Sequence, residues 1–395
     1  MSLRDNSPSN TVRSTVARAR PIRPPPKEYD YKISGGGKDI VAFTLFANAR
    51  HSKDAPTLVG RDPVAGTVRL RLEKPTTVKS ITITICGRCL PTVGFYVDTN
   101  SFSDENTFME ISHKLWSAEQ DGRRADMISG GVTRDGKLQG EYLWSYAIEI
   151  PPTLTAPTPA GEVSFVPPQT FKEQYCAMVV YDVLLRIKRK WPLPDYKIEA
   201  PFVYVPAISP SGFPGLRRLA YAQGTPLPSP HIDPDGWHAF GDIQLTGTLF
   251  KSRPLDVECT LFLAKPLQYT RGTEIPLYMR ISSHNSQAVD ILSSEVTTAI
   301  AVRLQRRIKL SALTKSRNKL SSMALDTGSR VQESLGARAV WWPSTTAADL
   351  IFVSGRYVRY VRGELRLKDG LKPSSAMPYM KIDVSLFDPC CDMVE

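Results

Sequence analysis

The sequence predicts an all-β protein with two tandem domains of antiparallel sheets, each a sandwich or a barrel, and three observations lead to this prediction. From residue 40 onward, apolar and polar residues alternate with a period of two, which is typical of strands with one buried face. No amphipathic helix of three turns interrupts this pattern, so parallel strands joined by crossover helices are not expected. Residues 206–237 are rich in proline and glycine and divide the pattern into two halves.

The first half holds the clearest strands. Their alternating apolar positions are Val68, Leu70, Leu72, Ile81, Ile83, Ile85, Trp144, Tyr146, Ile148 and Ile150. Two further apolar segments, residues 176–185 and 202–205, are predicted to be strands as well. The first domain is therefore expected to span residues 40–206.

Strand periodicity resumes after a linker at residues 207–244. Its apolar positions in the second half are Leu261, Leu263, Leu277, Met279, Ile281, Leu365, Leu367, Ile382, Val384 and Leu386, with a further strand at residues 299–310. Residues 311–338 are polar and irregular, which indicates a long loop with one short helix. The second domain is expected to span residues 245–389.

Residues 1–39 are predicted to be a disordered tail. The first 27 residues hold six basic side chains against one acidic residue and end in a proline cluster. Residues 18–24 also fit a basic polyproline ligand for an aromatic groove. A mitochondrial address is the other alternative, although the prolines oppose the amphipathic helix that it requires.

The charge of the chain indicates acidic partners. A net charge of +11 attracts phosphorylated peptides, anionic lipids or nucleic acid, and no sequence module for nucleic-acid binding is present. No apolar run reaches the length of a membrane-spanning helix, and no secretory signal begins the chain. An intracellular protein is therefore expected.

Catalytic and metal-binding patterns are weak. Cys86 and Cys89 have the spacing of a redox or zinc motif, but no second pair accompanies them, so two reduced thiols are expected. The five histidines form no two-ligand spacing, and no nucleophile or dinucleotide motif occurs. No enzyme activity, metal or cofactor is expected. The remote alternative is a β-sandwich hydrolase or redox enzyme in which His113, Cys86 and acidic residues converge in a pocket.

Two basic runs are candidate sites for anions or membranes. Arg186, Lys188 and Lys190 share one strand parity and so would line one face. The members of the second run that fall on a predicted strand are Arg303, Arg306, Arg307 and Lys309. The alternative for both runs is a solvated face that keeps the protein soluble. If the second run binds an anionic membrane, charge reversal at Arg306, Arg307 and Lys309 is expected to abolish vesicle binding and, because a solvated face contributes little to folding, to leave stability nearly unchanged.

Several segments, taken in order, resemble strands of the arrestin family. These are residues 60–72, 78–88, 140–151, 175–190, 265–277 and 372–386. The resemblance implies the arrestin fold, in which two antiparallel β-sandwich domains of immunoglobulin-like type follow one another, and a binding scaffold without catalysis. In the α-arrestin branch it implies an adaptor that binds cytoplasmic tails of membrane proteins, supports endocytic sorting and recruits a ubiquitin ligase, at the plasma membrane or endosomes.

The sequence departs from that branch because it contains no Pro-Pro-x-Tyr motif, through which such adaptors bind WW-domain ligases. The nearest match is Leu193, Pro194 and Tyr196 in a Leu-Pro-x-Tyr variant, with Tyr196 as the expected anchor. The competing interpretation is a hairpin turn, since Pro-Asp is ordinary turn chemistry. The alternative function is a sorting subunit similar to the arrestin-like subunit of retromer, which binds no ligase.

Overall fold

A computed structural model describes most of the chain. The described residues are 26–48, 55–93, 96–97, 107–119, 126–132, 136–158, 161–172, 177–294, 300–310, 330–332, 338–343, 350–378 and 380–387. Strands dominate them and form mostly antiparallel sheets, which confirms the prediction of an all-β fold. Among these residues, no helix is both long and apolar enough to cross a membrane.

The first half folds into two main sheets and a small hairpin. Its strands are β1 (Lys27–Gly35), β2 (Lys38–Ala47), β3 (Thr57–Val59), β4 (Val64–Thr76), β5 (Val78–Val93), β6 (Tyr96–Val97), β7 (Thr107–Ser117), β8 (Asp126–Val132), β9 (Leu138–Ile148), β10 (Leu154–Thr158), β11 (Gly161–Phe165), β12 (Phe171–Lys172), β13 (Ala177–Arg189) and β14 (Tyr196–Val205). One sheet has the order β1-β2-β4-β9-β8. The other runs β3-β14-β13-β5-β6, with β7 also paired to β5 and β12 to β13, while β10 and β11 pair with each other.

The second half also contains two sheets. Its elements are α1 (Gly215–Gln223), a 3₁₀ turn (Pro234–Gly236), β15 (Trp237–Ala239), β16 (Ile243–Leu249), β17 (Arg253–Ala264), β18 (Glu274–Ser283), α2 (Ser286–Ser294), β19 (Arg303–Leu310), β20 (Arg330–Gln332), β21 (Val340–Trp341), β22 (Ile351–Val353), β23 (Arg356–Arg366), β24 (Ser375–Met377) and β25 (Met380–Phe387). One sheet has the order β15-β17-β18-β23-β21, with β16 and β22 added beside it. The other has the order β20-β19-β25-β24.

Strand alternation places most of the buried apolar residues in two large cores, as the sequence pattern predicts. The first-half core contains the inward faces of β2, β4, β5, β9, β13 and β14, where side chains such as Phe43, Leu70 and Ile83 are fully buried. The second-half core contains the inward faces of β17, β18 and β23, together with Val302 and Leu304 of β19. Each core therefore lies where apolar faces of its strands meet.

The first-half core also receives side chains from the far end of the chain. Ile308 of β19, Met377 of β24, and Met380 and Ile382 of β25 are buried within it. Outside the core, the Lys372 ammonium donates to the Lys172 carbonyl at 3.3 Å. The two halves are therefore packed together, and their division into independently folding domains stays a prediction.

Two predicted boundaries are wrong in detail. Residues 27–39 fall in the predicted disordered tail, but β1 and the start of β2 form a regular pair there, with the polar side chains of β1 on its wet face. The predicted linker, residues 207–244, contains α1, whose end is closed by Gly224 in the left-handed conformation at φ 65°. It also contains β15 and the start of β16. Most of the predicted loop at 311–338 lies outside the described residues.

Candidate anion-binding face

The candidate site lies on the outer face of the sheet that contains β5, β7, β13 and β14. Ile81, Ile83 and Ile85 of β5 point into the core and are fully buried. Because successive side chains of a strand alternate, Thr82 and Thr84 lie on the opposite, outer face. The same apolar alternation that builds the core therefore leaves a polar outer surface on this sheet.

Strand register brings basic side chains from three strands into one row on this face. Thr82 of β5 lies between Lys114 of β7 and Arg186 of β13. Arg186 in turn lies opposite Lys197 of β14. Lys188 follows Arg186 by two residues on the same exposed face. We call Lys114, Arg186, Lys188 and Lys197 the basic face.

Hydroxyl groups lie among these cations. Thr82 separates Lys114 from Arg186, and in the next row Thr84 and Ser112 share a hydrogen bond of 2.9 Å. Cations supply charge-assisted hydrogen bonds to an oxyanion, and hydroxyl groups supply further donors. This combination suits phosphate better than it suits an apolar ligand.

The outer face of the other first-half sheet differs because its charges are balanced. Lys32 pairs with Asp39 at 2.9 Å, Lys38 with Glu73 at 2.8 Å, and Arg69 with Glu141 at 3.6 Å. On the basic face, only Arg186 takes part in an ion pair among the described residues, with Asp195 at 2.8 Å. Lys114, Lys188 and Lys197 therefore form no ion pair within the described part of the chain.

An ionic cluster lies beside the basic face, further along β5 and β13. The Arg88 guanidinium is 3.0 Å from the Asp182 carboxylate and 3.5 Å from Glu199. Although Arg88 favours the charged form of Asp182, burial of this carboxyl outweighs it and raises its pKa to about 6. Near pH 6, Asp182 is thus partly protonated in the folded protein.

This raised pKa predicts a pH-dependent stability difference between the wild type and Asp182→Asn. The unfolded chain has an Asp182 pKa near 3.8, so between about pH 4 and 6 the folded state binds the additional proton. The stability that Asp182 contributes is therefore fully present below about pH 4 and is lost as pH rises through 6. The loss is about 3 kcal/mol, because each tenfold change in proton affinity is worth about 1.4 kcal/mol. Urea unfolding of both proteins at pH 4 and pH 7 measures it, and a pH-independent difference would contradict the prediction.

The predicted ligase motif forms the end of the β13–β14 hairpin. Arg189 donates from its backbone N–H to Asp195 and from Nε to the Pro194 carbonyl, at 3.1 and 2.7 Å. Its guanidinium lies 3.7 Å from the ring centre of Tyr196, which is partly buried. The pKa of Asp195 is lowered, mainly by the hydrogen bond from the backbone N–H of Arg189 and next by the hydrogen bond from the Arg186 guanidinium. Leu193 is 47% exposed. These contacts are those of an ordered turn, and ligase binding there stays a prediction.

The second basic run does not form one surface. Arg303 is exposed and Arg307 is half-buried, but Arg306 has the opposite parity and is buried. The Lys309 side chain and residues 311–319 lie outside the described residues. The expectation that Arg306 lies on a solvated face is wrong, because β19 turns this residue inward beside Leu304 and Ile308, which are buried in the two cores.

The residues of the remote enzyme alternative do not converge. Cys86 is opposite Glu110 in the register of β5 and β7, whereas His113 is opposite the inward-pointing Ile83. Burial is the main reason that the pKa of the Cys86 thiol is raised, which disfavours a reactive thiolate. Within the described ranges, no cluster of three metal-ligating side chains occurs.

Sequence reasoning missed two members of the basic face. Lys197 was detectable, because it lies between Tyr196 and Ile198 in an alternating strand joined to β13 by a short turn. Lys114 was not detectable from the sequence. Its position on this face depends on the pairing of β7 with β5 and on an irregularity in that pairing between Ile81 and Thr82.

No protein-family model matches this chain, and no curated protein matches its sequence. The arrangement of the residues themselves is therefore the basis for a functional conclusion.

Proposed function

We propose that this protein is a non-enzymatic, arrestin-like adaptor that binds acidic, phosphorylated cytoplasmic tails of membrane-protein cargo. The observation that carries the proposal is the basic face, where Lys114, Arg186 and Lys197 lie in one row and Lys188 lies beside it. The ordered resemblance to arrestin strands and the all-β fold support the same class of function.

The spacing of the row suits a phosphorylated peptide. Lys114 and Arg186 lie two strands apart, and neighbouring strands are about 4.8 Å apart, so their backbones are separated by roughly 10 Å. A peptide in the polyproline II conformation advances about 3.1 Å per residue and has three residues per turn, so phosphate groups three residues apart lie on one face and about 9 Å apart. We therefore expect a preference for doubly phosphorylated peptides with this spacing.

Stability considerations also support a binding role. Arg186 and Lys197 are directly opposite each other on neighbouring strands, and like charges in such positions destabilise a sheet, although the ion pair of Arg186 with Asp195 at 2.8 Å offsets part of this repulsion. A bound phosphate would relieve this repulsion through charge-assisted hydrogen bonds. The repulsion thus destabilises the free protein, and its relief by a bound anion favours binding.

We expect the double substitution Lys114→Glu and Lys197→Glu to weaken binding of the doubly phosphorylated peptide at least 100-fold. It removes two charge-assisted contacts, each worth about 1.5–3 kcal/mol, and adds repulsion. Stability should not fall, since the carboxylate introduced on β14 would face Arg186 across the strand pair. Fluorescence polarisation with phosphorylated and unphosphorylated peptides measures the binding, and urea unfolding measures the stability.

The matched control is Arg71→Glu, which reverses an exposed charge on the outer face of the other sheet. It should leave peptide affinity within a factor of about two. Equal weakening by the control and the double variant, or equal binding of the unphosphorylated peptide by the wild type, would contradict the proposal.

The second candidate is the retromer-like sorting subunit that binds no ligase. Tyr196, the expected anchor for a WW domain, is partly buried beneath Arg189, and this contact favours the second candidate over ligase recruitment. Tyr196→Ala separates the two functions. If the wild type binds a WW domain and this variant does not, ligase recruitment is supported. Cargo binding without any WW-domain binding would support the sorting subunit.

A further inference from the structure

The end of the β13–β14 hairpin exposes apolar side chains that the fold does not use. We call residues 190–194 the hairpin tip. Trp191 is 86% exposed, more than any other large hydrophobic side chain in the described part of the chain, and Leu193 is 47% exposed. A tryptophan in such a position makes few apolar contacts with its own protein, which indicates that this surface binds a partner.

Hydrogen bonds hold the hairpin tip in a defined conformation. The backbone N–H of Leu193 donates to the Lys190 carbonyl, and that of Lys190 donates to Thr77 in the neighbouring β4–β5 turn, both at 3.1 Å. Asp195 and the Pro194 carbonyl accept the hydrogen bonds from Arg189 described above. Trp191 and Leu193 are thus presented on an ordered backbone, which reduces the entropy cost of binding.

A collar of basic side chains surrounds these apolar groups. Lys188 and Lys190 are exposed on the hairpin. The hydrogen bond from Lys190 to Thr77 joins the tip to the end of β4 and the start of β5, which carry the exposed Lys74 and Lys79. The nearby carboxylates are Glu73, Asp195 and Glu119. Glu73 pairs with Lys38 and Asp195 pairs with Arg186, so the surroundings of the tip keep an excess of positive charge.

We infer that the hairpin tip inserts into the interfacial region of an anionic lipid bilayer. Tryptophan is favoured at the membrane–water boundary, leucine reaches the acyl chains, and lysines beside them contact anionic headgroups. The tip offers two exposed apolar side chains, whereas a stable protein interface needs about 800 Å² from each partner. A bilayer requires only shallow insertion, and its negative charge complements the collar.

This inference goes beyond the proposed binding of cargo and does not require it. Peptide binding is measured without lipid on the basic face, and insertion is measured with vesicles that carry no peptide. The failure of one therefore leaves the other standing. An adaptor with both surfaces would hold cargo tails close to the membrane from which they extend.

Sedimentation of the full chain with vesicles tests the inference. Vesicles that contain about 30% phosphatidylserine should bind the wild type, and pure phosphatidylcholine vesicles should bind it much more weakly. Trp191→Ala should weaken binding about tenfold, because it removes most of the inserted apolar surface. Each lysine near an anionic surface contributes about fivefold, so the combination of Lys74→Glu and Lys190→Glu should weaken binding about 25-fold or more.

Ile232→Ala is the matched control. Ile232 is 69% exposed but has Asp233 and Asp235 close by in sequence instead of a basic collar, so its removal should leave vesicle binding unchanged. Trp191→Phe supplies a second readout, since it should retain most of the binding. Its fluorescence should lose the quenching by brominated lipid that the wild type shows, because Trp191 is the inserted indole.

Three results would overturn the inference. The first is a wild type that does not sediment with anionic vesicles, and the second is a Trp191→Ala variant that sediments as well as the wild type. The third is self-association in ultracentrifugation without lipid that Trp191→Ala abolishes, which would assign the tip to a second copy of the chain. Thermal unfolding should be unchanged in all tip variants, since the substituted side chains are exposed.

Discussion

Arg306→Glu is expected to lower the free energy of unfolding by about 3–5 kcal/mol, the largest effect of any charge reversal considered for this protein. Arg306 is only 7% exposed, and its strand places it between Leu304 in the second-half core and Ile308 in the first-half core. In the variant, a carboxylate would be buried in surroundings that accommodate the positively charged guanidinium of Arg306 in the wild type. Since typical proteins are stable by about 5–15 kcal/mol, this substitution alone removes a large part of the total.

Urea denaturation followed by circular dichroism measures this loss. Arg303→Glu is the control on the same strand, because Arg303 is exposed and its reversal should change stability by less than about 0.5 kcal/mol. Arg306→Met keeps an unbranched side chain without a charge and should cost less than Arg306→Glu. Equal stability of the two Glu variants would show that Arg306 is solvated in solution.

Gly66→Ala should destabilise the protein by about 3 kcal/mol, because the added methyl group has no space. A Cβ at Gly66 would overlap the Thr44 carbonyl oxygen and lie 2.7 Å from the Tyr146 hydroxyl. That hydroxyl reaches across β4 to donate to the Thr44 carbonyl at 3.2 Å, and its ring stacks on Phe43 at 5.7 Å. The substitution therefore disturbs a hydrogen bond and an aromatic contact at the same time.

Gly241→Ala is the control for this effect. A Cβ at Gly241 meets no atom within 4 Å, so stability should stay within about 0.5 kcal/mol of the wild type. If the denaturant midpoints of both alanine variants equal that of the wild type, the close packing of β2, β4 and β9 around Gly66 is contradicted.

The strands themselves could be predicted from the sequence because their alternation is local. Val68, Leu70 and Leu72 point inward along β4, and Ile81 to Ile85 do so along β5, as their period of two requires. The shared face of Arg186 and Lys188 follows from the same parity rule. Such inferences need only the chain positions of the residues and the geometry of an extended strand.

Relations between distant strands could not be predicted in this way. Lys114 joins the basic face only because β7 pairs with β5, and Arg306 is buried because β19 lies where the two cores meet. Parity alone assigns Arg306 and Arg303 to opposite faces, but it does not tell which face is covered. The strand Lys27–Gly35 was missed although Tyr29, Tyr31 and Ile33 alternate with polar residues, because these inward side chains are only partly buried and the strand depends on its pairing with β2.

The burial of Met377, Met380 and Ile382 in the first-half core has a consequence for the synthesis of this protein. A ribosome adds about 5–20 residues per second, so roughly 10–35 s separate the emergence of residue 205 from that of residue 382. During this interval the nascent first half lacks part of its apolar packing and exposes a site on which a chaperone can act. Release of the last strands from the exit tunnel then completes a core begun by strands near the N-terminus.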